Sequence, residues 1–447
     1  MSDPERQRQR QWATAVLVIC AMCGPGWGYG PVYLFHLALA ATWIWLIVAD
    51  GASVVLKRLS EFRGTLLFMG LSLAWWCASL LWAPDLREGV LAIIYWSLGF
   101  ALILALLALI QNGAVLRAAL RAAGVAITIE VAVAMLEVLT PLRWPISRLS
   151  DHAALFGRPS DISALLVEPG SASYLATSPT GFHWNENDLA ALVLMALPFF
   201  FMARRWWVWA LATGLTGWII VASGARLGWA GLLLAMMTVL ITWKGRRWVA
   251  IMAIGVIVLI STNGFSPRYH AWKKVRETQV FSRMMVGADL DTAQLRDLGD
   301  LGLTDGSAGA RKELFKLGLR AIREHPLAGS GAGGSRSYIR AHWPPERRPV
   351  SDLHCWWLQV PAEGGSVILV LYLAWWGSIA WKLARAVRGA SGEARDPLVA
   401  ALVALIVLVP VAVMPSSMIY FLPIHVLAAM AIGLSRYSPL DAHAPSR

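Results

Sequence analysis

A histidine begins an apolar stretch in the sequence SDLHCWWLQVPAEGG, which runs from Ser351 to Gly365. Imidazole titrates near neutral pH, which suits His354 to remove a proton from a sugar hydroxyl at the membrane boundary. Gln359 and Glu363 follow in the same predicted helix. Because a carboxylate within a membrane must face the bundle interior and find partners, this helix is expected to have a polar side. The alternatives are an interfacial histidine bonded to backbone or water, and structural pairing of the carboxylate between helices.

Two arginines are candidates for binding phosphate. Arg226, in SGARLGW, stands where two predicted helices meet, and guanidinium can bind phosphate through two parallel hydrogen bonds. Arg311 opens the stretch RKELFKLGLRAIREHPLAGSG, whose apolar and basic residues predict an amphipathic helix that ends before Pro326. A cation at a helix start opposes the helix dipole, and a bound phosphate would relieve this. Snorkelling to the interface is the alternative interpretation of Arg226.

Further polar residues lie in or beside apolar stretches. Glu130 and Glu137 are two turns apart on one predicted helix and indicate a polar interior, with structural pairing between helices as the preferred interpretation. Asn185 and Asn187, in HWNEND, stand at the start of another predicted helix, where capping alone explains them.

Other patterns in the sequence are weaker indications of function. Gly329, Gly331 and Gly334 have a dinucleotide-binding spacing, but no predicted strand precedes them, so a flexible turn after a helix is expected. Asp289 and Asp291 have the form of a divalent-cation pair, and solvation in a polar loop is the preferred interpretation. No nucleotide-hydrolysis, zinc-protease or serine-esterase motif is present, so any energy source must come with the substrate.

The composition places these residues in a membrane. Apolar residues make up 57% of the 447-residue chain and charged residues 15%, and apolar runs of about 17–25 residues, long enough to cross a bilayer, recur. The predicted class is an all-α polytopic membrane protein. We predict about twelve helices, at 12–29, 31–49, 64–83, 89–110, 118–140, 187–203, 206–222, 226–243, 247–263, 354–383, 397–414 and 417–435.

The helices divide the chain into four predicted segments. Residues 1–263 carry the first nine helices and one outer loop, 141–186. Residues 264–353 form a large outer loop with amphipathic helices, 354–435 carry the last three helices, and 436–447 are a cytoplasmic tail. Lys and Arg concentrate in the short connections on the side of the N-terminus, which the positive-inside rule makes cytoplasmic.

Four segments together resemble the O-antigen ligase family, which shares a domain with O-antigen polymerases and some protein O-oligosaccharyltransferases. In chain order they are NEND, SGARLGWAGLLL, GARKELFKLGLRAIREHPLAGSGAGG and HCWWLQVPAEGG. The resemblance implies a GT-C-like glycosyltransferase fold with a large periplasmic loop between the ninth and tenth helices. It also implies transfer of a glycan from undecaprenyl pyrophosphate to lipid A-core, with inversion and without a metal or other cofactor.

The resemblance also implies roles for particular residues. The family's essential histidine falls on His354, and its two donor-binding arginines fall on Arg226 and Arg311. Supporting roles are expected for Asn185, Asn187, Gln359 and Glu363. Basic residues that would attract the phosphorylated acceptor are Arg143, Arg148 and Arg158. Membrane lipids are expected partners, and nucleic acid is not.

Two alternatives stay open. Within the superfamily, the chain would be an O-antigen polymerase or a protein O-oligosaccharyltransferase, because all branches share these motifs. From another class, a transporter of the lipid-linked glycan would use Glu130, Glu137 and Glu363 as coupling or substrate sites. Transporters commonly have repeated halves, and no such repeat is found in this sequence.

Overall fold

The computed structural model is mostly helical. It describes residues 3–140, 142–158, 178–203, 205–242, 255, 307–344, 350–415 and 417–437. The helices are α1 (Asp3–Cys23), α2 (Leu34–Asp50), α3 (Ala52–Leu59), α4 (Arg63–Ser79), α5 (Leu86–Leu109), α6 (Gly113–Leu139), α7 (Glu186–Phe200), α8 (Trp206–Ala222), α9 (Arg226–Thr242), α10 (Ser307–Glu324), α11 (Gly334–His342), α12 (Trp356–Gly389), α13 (Arg395–Val411) and α14 (Leu422–Leu434). Two short strands, β1 (Gly28–Tyr29) and β2 (Val32–Tyr33), pair antiparallel.

Eleven of the twelve predicted helices have a counterpart among the described residues, and 247–263 falls outside them except for Gly255. The differences lie at the helix ends. The first helix was predicted at 12–29, but α1 ends at Cys23, because the following Gly-Pro-Gly forms a 3₁₀ turn. The tenth was predicted from 354, but α12 begins at Trp356.

Four helices are long and apolar enough to cross a membrane among the residues that the structure describes. They are α5, α6, α12, and α13 together with the short helix before it. A fifth span arises if α2 and the α3–α4 stretch, bent by 108°, count as one. These helices support a polytopic all-α membrane protein.

The chain divides into two compact units. The first contains Met1–Met22, Leu34–Ala126 and Arg311–Arg447. In it, α12 packs against α4 and α13, and α14 packs against α5. Aromatic rings fill these contacts: Phe68 stacks on Trp375 at 4.5 Å, and Trp96 lies 5.4 Å from Trp356. Because burial of such rings dominates packing energetics, they fix the position of α12 in this unit.

A break divides α12 at Gly365, where the backbone has φ 69° and ψ −171°. The turn between α10 and α11 fills the break. Ser330 N donates to Ala362 O at 2.8 Å, and Ser366 N donates to Pro326 O at 2.9 Å. A Cβ at Gly365 would lie 2.7 Å from Ala328 N, so the two backbones meet closely. This glycine turn was expected to be flexible, but it is buried and supplies the hydrogen bonds that the broken helix lacks.

The second unit contains Cys23–Tyr33 and Ile127–Ala310. In it, α7 packs against α8 and α9. The buried Glu137 carboxylate accepts hydrogen bonds from Thr180 N at 2.7 Å and Gly181 N at 2.9 Å, and Glu130 accepts one from Phe182 N at 2.9 Å. Both acidic residues therefore have structural partners, and their partners named here lie in the connection between α6 and α7 rather than in another helix. Side chains of that connection also contact them: His183 Nε2 lies 3.4 Å from Glu130, and Thr180 Oγ1 donates to Glu137 at 3.2 Å.

Candidate functional site

His354 adopts a backbone conformation that is rare for a residue with a side chain. Its φ is +50°, and no other non-glycine residue has a positive φ in the described part of the chain. A conformation of this kind costs about 1–3 kcal/mol and persists only where the surrounding structure holds it, as at many active sites. The half-buried side chain of His354, the predicted base, lies immediately before α12.

Contacts on both sides of His354 fix the start of α12. On the helix side, Trp356 N donates to Ala412 O at 3.0 Å, just beyond the end of α13. Leu353 and Cys355 belong to a buried apolar cluster that α10 and α11 complete. The members of the cluster are Leu314, Ala321, Ile339, Leu353, Cys355, Leu358 and Ala362. Residues from four separate stretches of the chain therefore determine where His354 lies.

Arg311 lies on α10, the amphipathic helix, which ends before Pro326 as predicted. The helix begins at Ser307, so the expectation that Arg311 opens it is wrong and the helix-dipole argument for a phosphate loses its basis. Arg311 is half-buried and lies seven residues before Gly318 on one helix face. A Cβ at Gly318 would be 3.2 Å from Leu358 Cβ and 3.5 Å from Leu353 Cδ2, so this face packs on the residues that flank His354.

Gln359 and Glu363 form a buried hydrogen-bond network in the first unit. Glu363 accepts from Gln359 Nε2 at 3.1 Å and from the hydroxyl of Ser335 on α11. Gln359 Oε1 in turn accepts from Ser417 Oγ at 2.9 Å. The polar side expected on this helix is present, and its contacts connect α12 to α11 and to the turn before α14.

The tryptophans after His354 have structural partners. Trp356 is 3% exposed and packs among aromatic rings, so it neither anchors the helix at an interface nor offers a surface to a sugar. Trp357 is half-buried, and its indole Nε1 donates to Val409 O at 2.8 Å.

An ion pair beside His354 was missed by sequence reasoning. Arg336 on α11 lies with its Nε 3.2 Å from Asp352 Oδ1 and its Nη1 3.1 Å from Glu88 Oε2. Its guanidinium carbon is 5.3 Å from the centre of the Tyr420 ring. The only sequence signal is an acidic residue two positions before the histidine, which does not say which of the many basic residues pairs with it.

The remaining predicted residues belong to the second unit. Arg226 is the first residue of α9 and follows Gly224, whose φ is +62°. Asn185 caps α7 by accepting from Asn187 N at 2.8 Å, and both are buried, which agrees with the capping interpretation.

The three arginines considered for the acceptor have partners within the second unit. Arg143 donates to Ser178 O, and Arg148 pairs with Glu186 at 3.0 Å. Arg158 is 7% exposed, with its guanidinium carbon 4.7 Å from the centre of the Tyr33 ring. Asp289 and Asp291, the candidate cation pair, lie outside the described residues.

Residues 210–373 match the family model for O-antigen ligase. The chain contains an O-antigen ligase domain. The match confirms the family resemblance and covers Arg226, Arg311, His354, Gln359 and Glu363. It does not extend to Asn185 and Asn187 or to the three arginines in the first outer loop, 141–186. The roles expected of all these residues, inside the match and outside it, stay predictions. A search of curated proteins finds no match to this chain.

Proposed function

We propose that this O-antigen ligase family member transfers a polysaccharide from undecaprenyl pyrophosphate to lipid A-core oligosaccharide. The observation that carries the proposal is the backbone of His354, held at φ +50° directly before α12 and within the matched domain. A strained backbone conformation supported by contacts from four stretches of the chain is typical of a residue whose side chain must be aimed. The aromatic and apolar packing around α12 does not by itself require a positive φ at His354.

In the proposed reaction, His354 accepts the proton of the acceptor hydroxyl as that oxygen attacks the anomeric carbon of the donor. The bond from that carbon to the pyrophosphate oxygen breaks, and undecaprenyl pyrophosphate leaves with the electron pair. Arg226 and Arg311 neutralise the charge that develops on the leaving group. Direct displacement opposite the leaving group implies inversion, since retention would require a nucleophilic carboxylate near the anomeric carbon. This scheme uses no metal or other cofactor.

The proposed location is the inner membrane of a Gram-negative bacterium, with the active site facing the periplasm. The membrane-spanning helices support insertion in a membrane, and the basic short connections orient the N-terminus toward the cytoplasm. Residues 264–353 then form the periplasmic loop that carries α10 and α11, and twelve crossings place both termini on the cytoplasmic side.

The second candidate is a polymerase or a protein O-oligosaccharyltransferase of the same superfamily. The same domain match favours it, because these branches share the domain. The acceptor alone separates them: lipid A-core for the ligase, another lipid-linked chain for the polymerase, and a protein hydroxyl for the third branch.

The test uses the full chain purified in detergent, supplied with undecaprenyl-pyrophosphate glycan and lipid A-core in the presence of EDTA. Wild type is compared with His354→Ala and with His342→Ala, an exposed histidine on α11 that serves as the matched control. We expect glycan on lipid A-core with wild type and with the control, and loss of transfer by at least about 10²-fold with His354→Ala.

Each other outcome has a definite meaning. Growth of the lipid-linked chain without lipid A-core product would identify a polymerase. Transfer to an added acceptor protein alone would identify a protein O-oligosaccharyltransferase. No covalent change to either lipid by folded wild type would refute the proposed glycosyl transfer and favour the transporter. Full activity of His354→Ala would remove the base from the mechanism.

A further inference from the structure

The left-handed backbone of His354 needs a restraint on its N-terminal side. On the C-terminal side, α12 and the hydrogen bond from Trp356 N to Ala412 O hold the chain. On the N-terminal side, Asp352 is 5% exposed and is the nearest charged residue in the sequence. Because Asp352 stands two residues before His354, its ion pair with Arg336 restrains the backbone directly before the histidine.

Arg336 supplies that restraint and connects it to two other elements. The guanidinium reaches Asp352 at 3.2 Å through Nε and Glu88, in the first turn of α5, at 3.1 Å through Nη1. Its face lies over the Tyr420 ring in the turn before α14. Ser351 Oγ also donates to Asp352 Oδ2 at 2.6 Å. Because guanidinium is planar and its donors are fixed in a fork, these contacts set the position of Asp352 as well as neutralising it.

The same contacts argue against a phosphate-binding role for Arg336. Two carboxylates already oppose its single positive charge, and its side chain is 24% exposed. An added phosphate would bring a third negative group to the same guanidinium, which like-charge repulsion disfavours. Arg340, one turn further along α11, differs: it lies 3.7 Å from Glu88 but is 68% exposed, and no ion pair joins it to Asp352 among the described contacts.

We propose that Arg336 is a positioning residue that, through its ion pair with Asp352, holds the His354 backbone in the conformation that presents the imidazole to the acceptor hydroxyl. The inference rests on the proposed function, because the ion pair matters for activity only if His354 removes the proton from the acceptor hydroxyl. Arg336 itself touches neither substrate in this scheme. Displacing a catalytic group by about 1 Å can cost about 10²-fold in rate, so loss of the pair should lower kcat without weakening donor binding.

The decisive variants are Asp352→Asn and Arg336→Lys, which keep the size of the carboxylate and the charge of the guanidinium respectively. Arg340→Gln is the matched control. Arg340 is on α11 like Arg336 and lies near Glu88, but its replacement leaves the pair between Arg336 and Asp352 intact. In the detergent assay we expect kcat to fall about 10- to 100-fold for Asp352→Asn and Arg336→Lys. The donor KM of the folded fraction should stay close to wild type, and Arg340→Gln, which removes an exposed charge, should keep kcat within about twofold.

A double-variant comparison separates positioning from general damage. If Arg336 and Asp352 act as one unit, the combination Arg336→Lys with Asp352→Asn should lose no more activity than the more impaired of these two single variants. In a His354→Ala background, adding Asp352→Asn should not lower the residual transfer further, because the residue that it positions is absent.

The results that would overturn the inference are distinct from those that test the proposed function. A raised donor KM with unchanged kcat would make Arg336 a donor-binding residue. Loss of activity in proportion to loss of folded protein, or an equal loss in Arg340→Gln, would make the pair merely structural. Wild-type kcat in Asp352→Asn would refute the positioning role alone, whereas no transfer by folded wild type would refute the proposed function.

Discussion

Replacing Gly365 by Ala should destabilise the protein severely, because two effects coincide at the break in α12. The backbone has φ 69° and ψ −171°, a conformation that is essentially restricted to glycine and costs a residue with a Cβ about 1–3 kcal/mol. The added Cβ would overlap the Leu327 carbonyl and lie 2.7 Å from Ala328 N. Overpacking of this kind costs about 1–3 kcal/mol. The sum, about 2–6 kcal/mol, is a large part of the roughly 5–15 kcal/mol by which folded proteins are typically stable.

Gly377 provides the matched control within the same helix. Nothing lies within 4 Å of a Cβ built there, so Gly377→Ala should change stability by no more than about 1 kcal/mol. The assay is thermal denaturation of both variants in one detergent at one scan rate, since membrane proteins often unfold irreversibly. We expect a clearly lower transition temperature, or loss of folded protein, for Gly365→Ala only. Equal heat stability of the two variants would refute the close approach between the α10–α11 turn and α12.

Three further predictions concern the site and the loop helices. His354→Gly should be more stable than His354→Ala by about 0.5–1 kcal/mol. Alanine has a left-handed penalty of about 1–2 kcal/mol that glycine avoids, whereas glycine loses about 0.5–1 kcal/mol more chain entropy on folding. Thermal denaturation of the two inactive variants measures the difference. Arg226→Lys keeps the charge but loses the two-bond geometry, so transfer should fall markedly while the membrane level of the protein is unchanged. Hydrogen bonds from Arg320 and Tyr338 hold the pKa of Glu324 below its usual value of 4.5. The amides of α10 should therefore lose protection from hydrogen exchange as the pH falls below that value, and Glu324→Gln should remove this pH dependence.

Each of these has a contrary result. A His354→Ala variant as stable as His354→Gly would mean that the backbone at this position is not left-handed in solution. Full transfer by Arg226→Lys would exclude bidentate phosphate binding there. For Glu324, the sign follows from its lowered pKa: the carboxylate stabilises α10 above its unfolded pKa and loses that effect as it is protonated. Unchanged hydrogen-exchange protection of α10 as Glu324 is protonated would show that the ion pair of Glu324 does not stabilise this helix.

The sequence predicted the helices well where the signals are local. Apolar runs and helix stops such as Pro326 depend on residues within one helix, so α10 ends where expected. Ends that depend on tertiary contacts were predicted less well. The start of α12 moved from 354 to 356, since the structure places His354 in a conformation that no helix contains.

The candidate site was predicted in part for the same reason. His354, Gln359 and Glu363 follow from one apolar stretch that holds polar residues, and their polar network is present. The partners in that network, Ser335 and Ser417, carry no signal in the sequence. They are ordinary hydroxyl residues whose role arises only because α11 and the turn before α14 pack beside α12.

The sequence by itself determined the class of this protein, the helical segments, and the histidine and arginines proposed for catalysis, because hydropathy and residue chemistry act locally. Only the tertiary structure decided that the chain is left-handed at His354, that the glycine turn fills the break at Gly365, and that Arg336 pairs with Asp352. Each of these depends on groups that are far apart in the chain or belong to different elements. A backbone carbonyl or a buried carboxylate requires a partner, and the sequence shows the requirement but not which residue meets it.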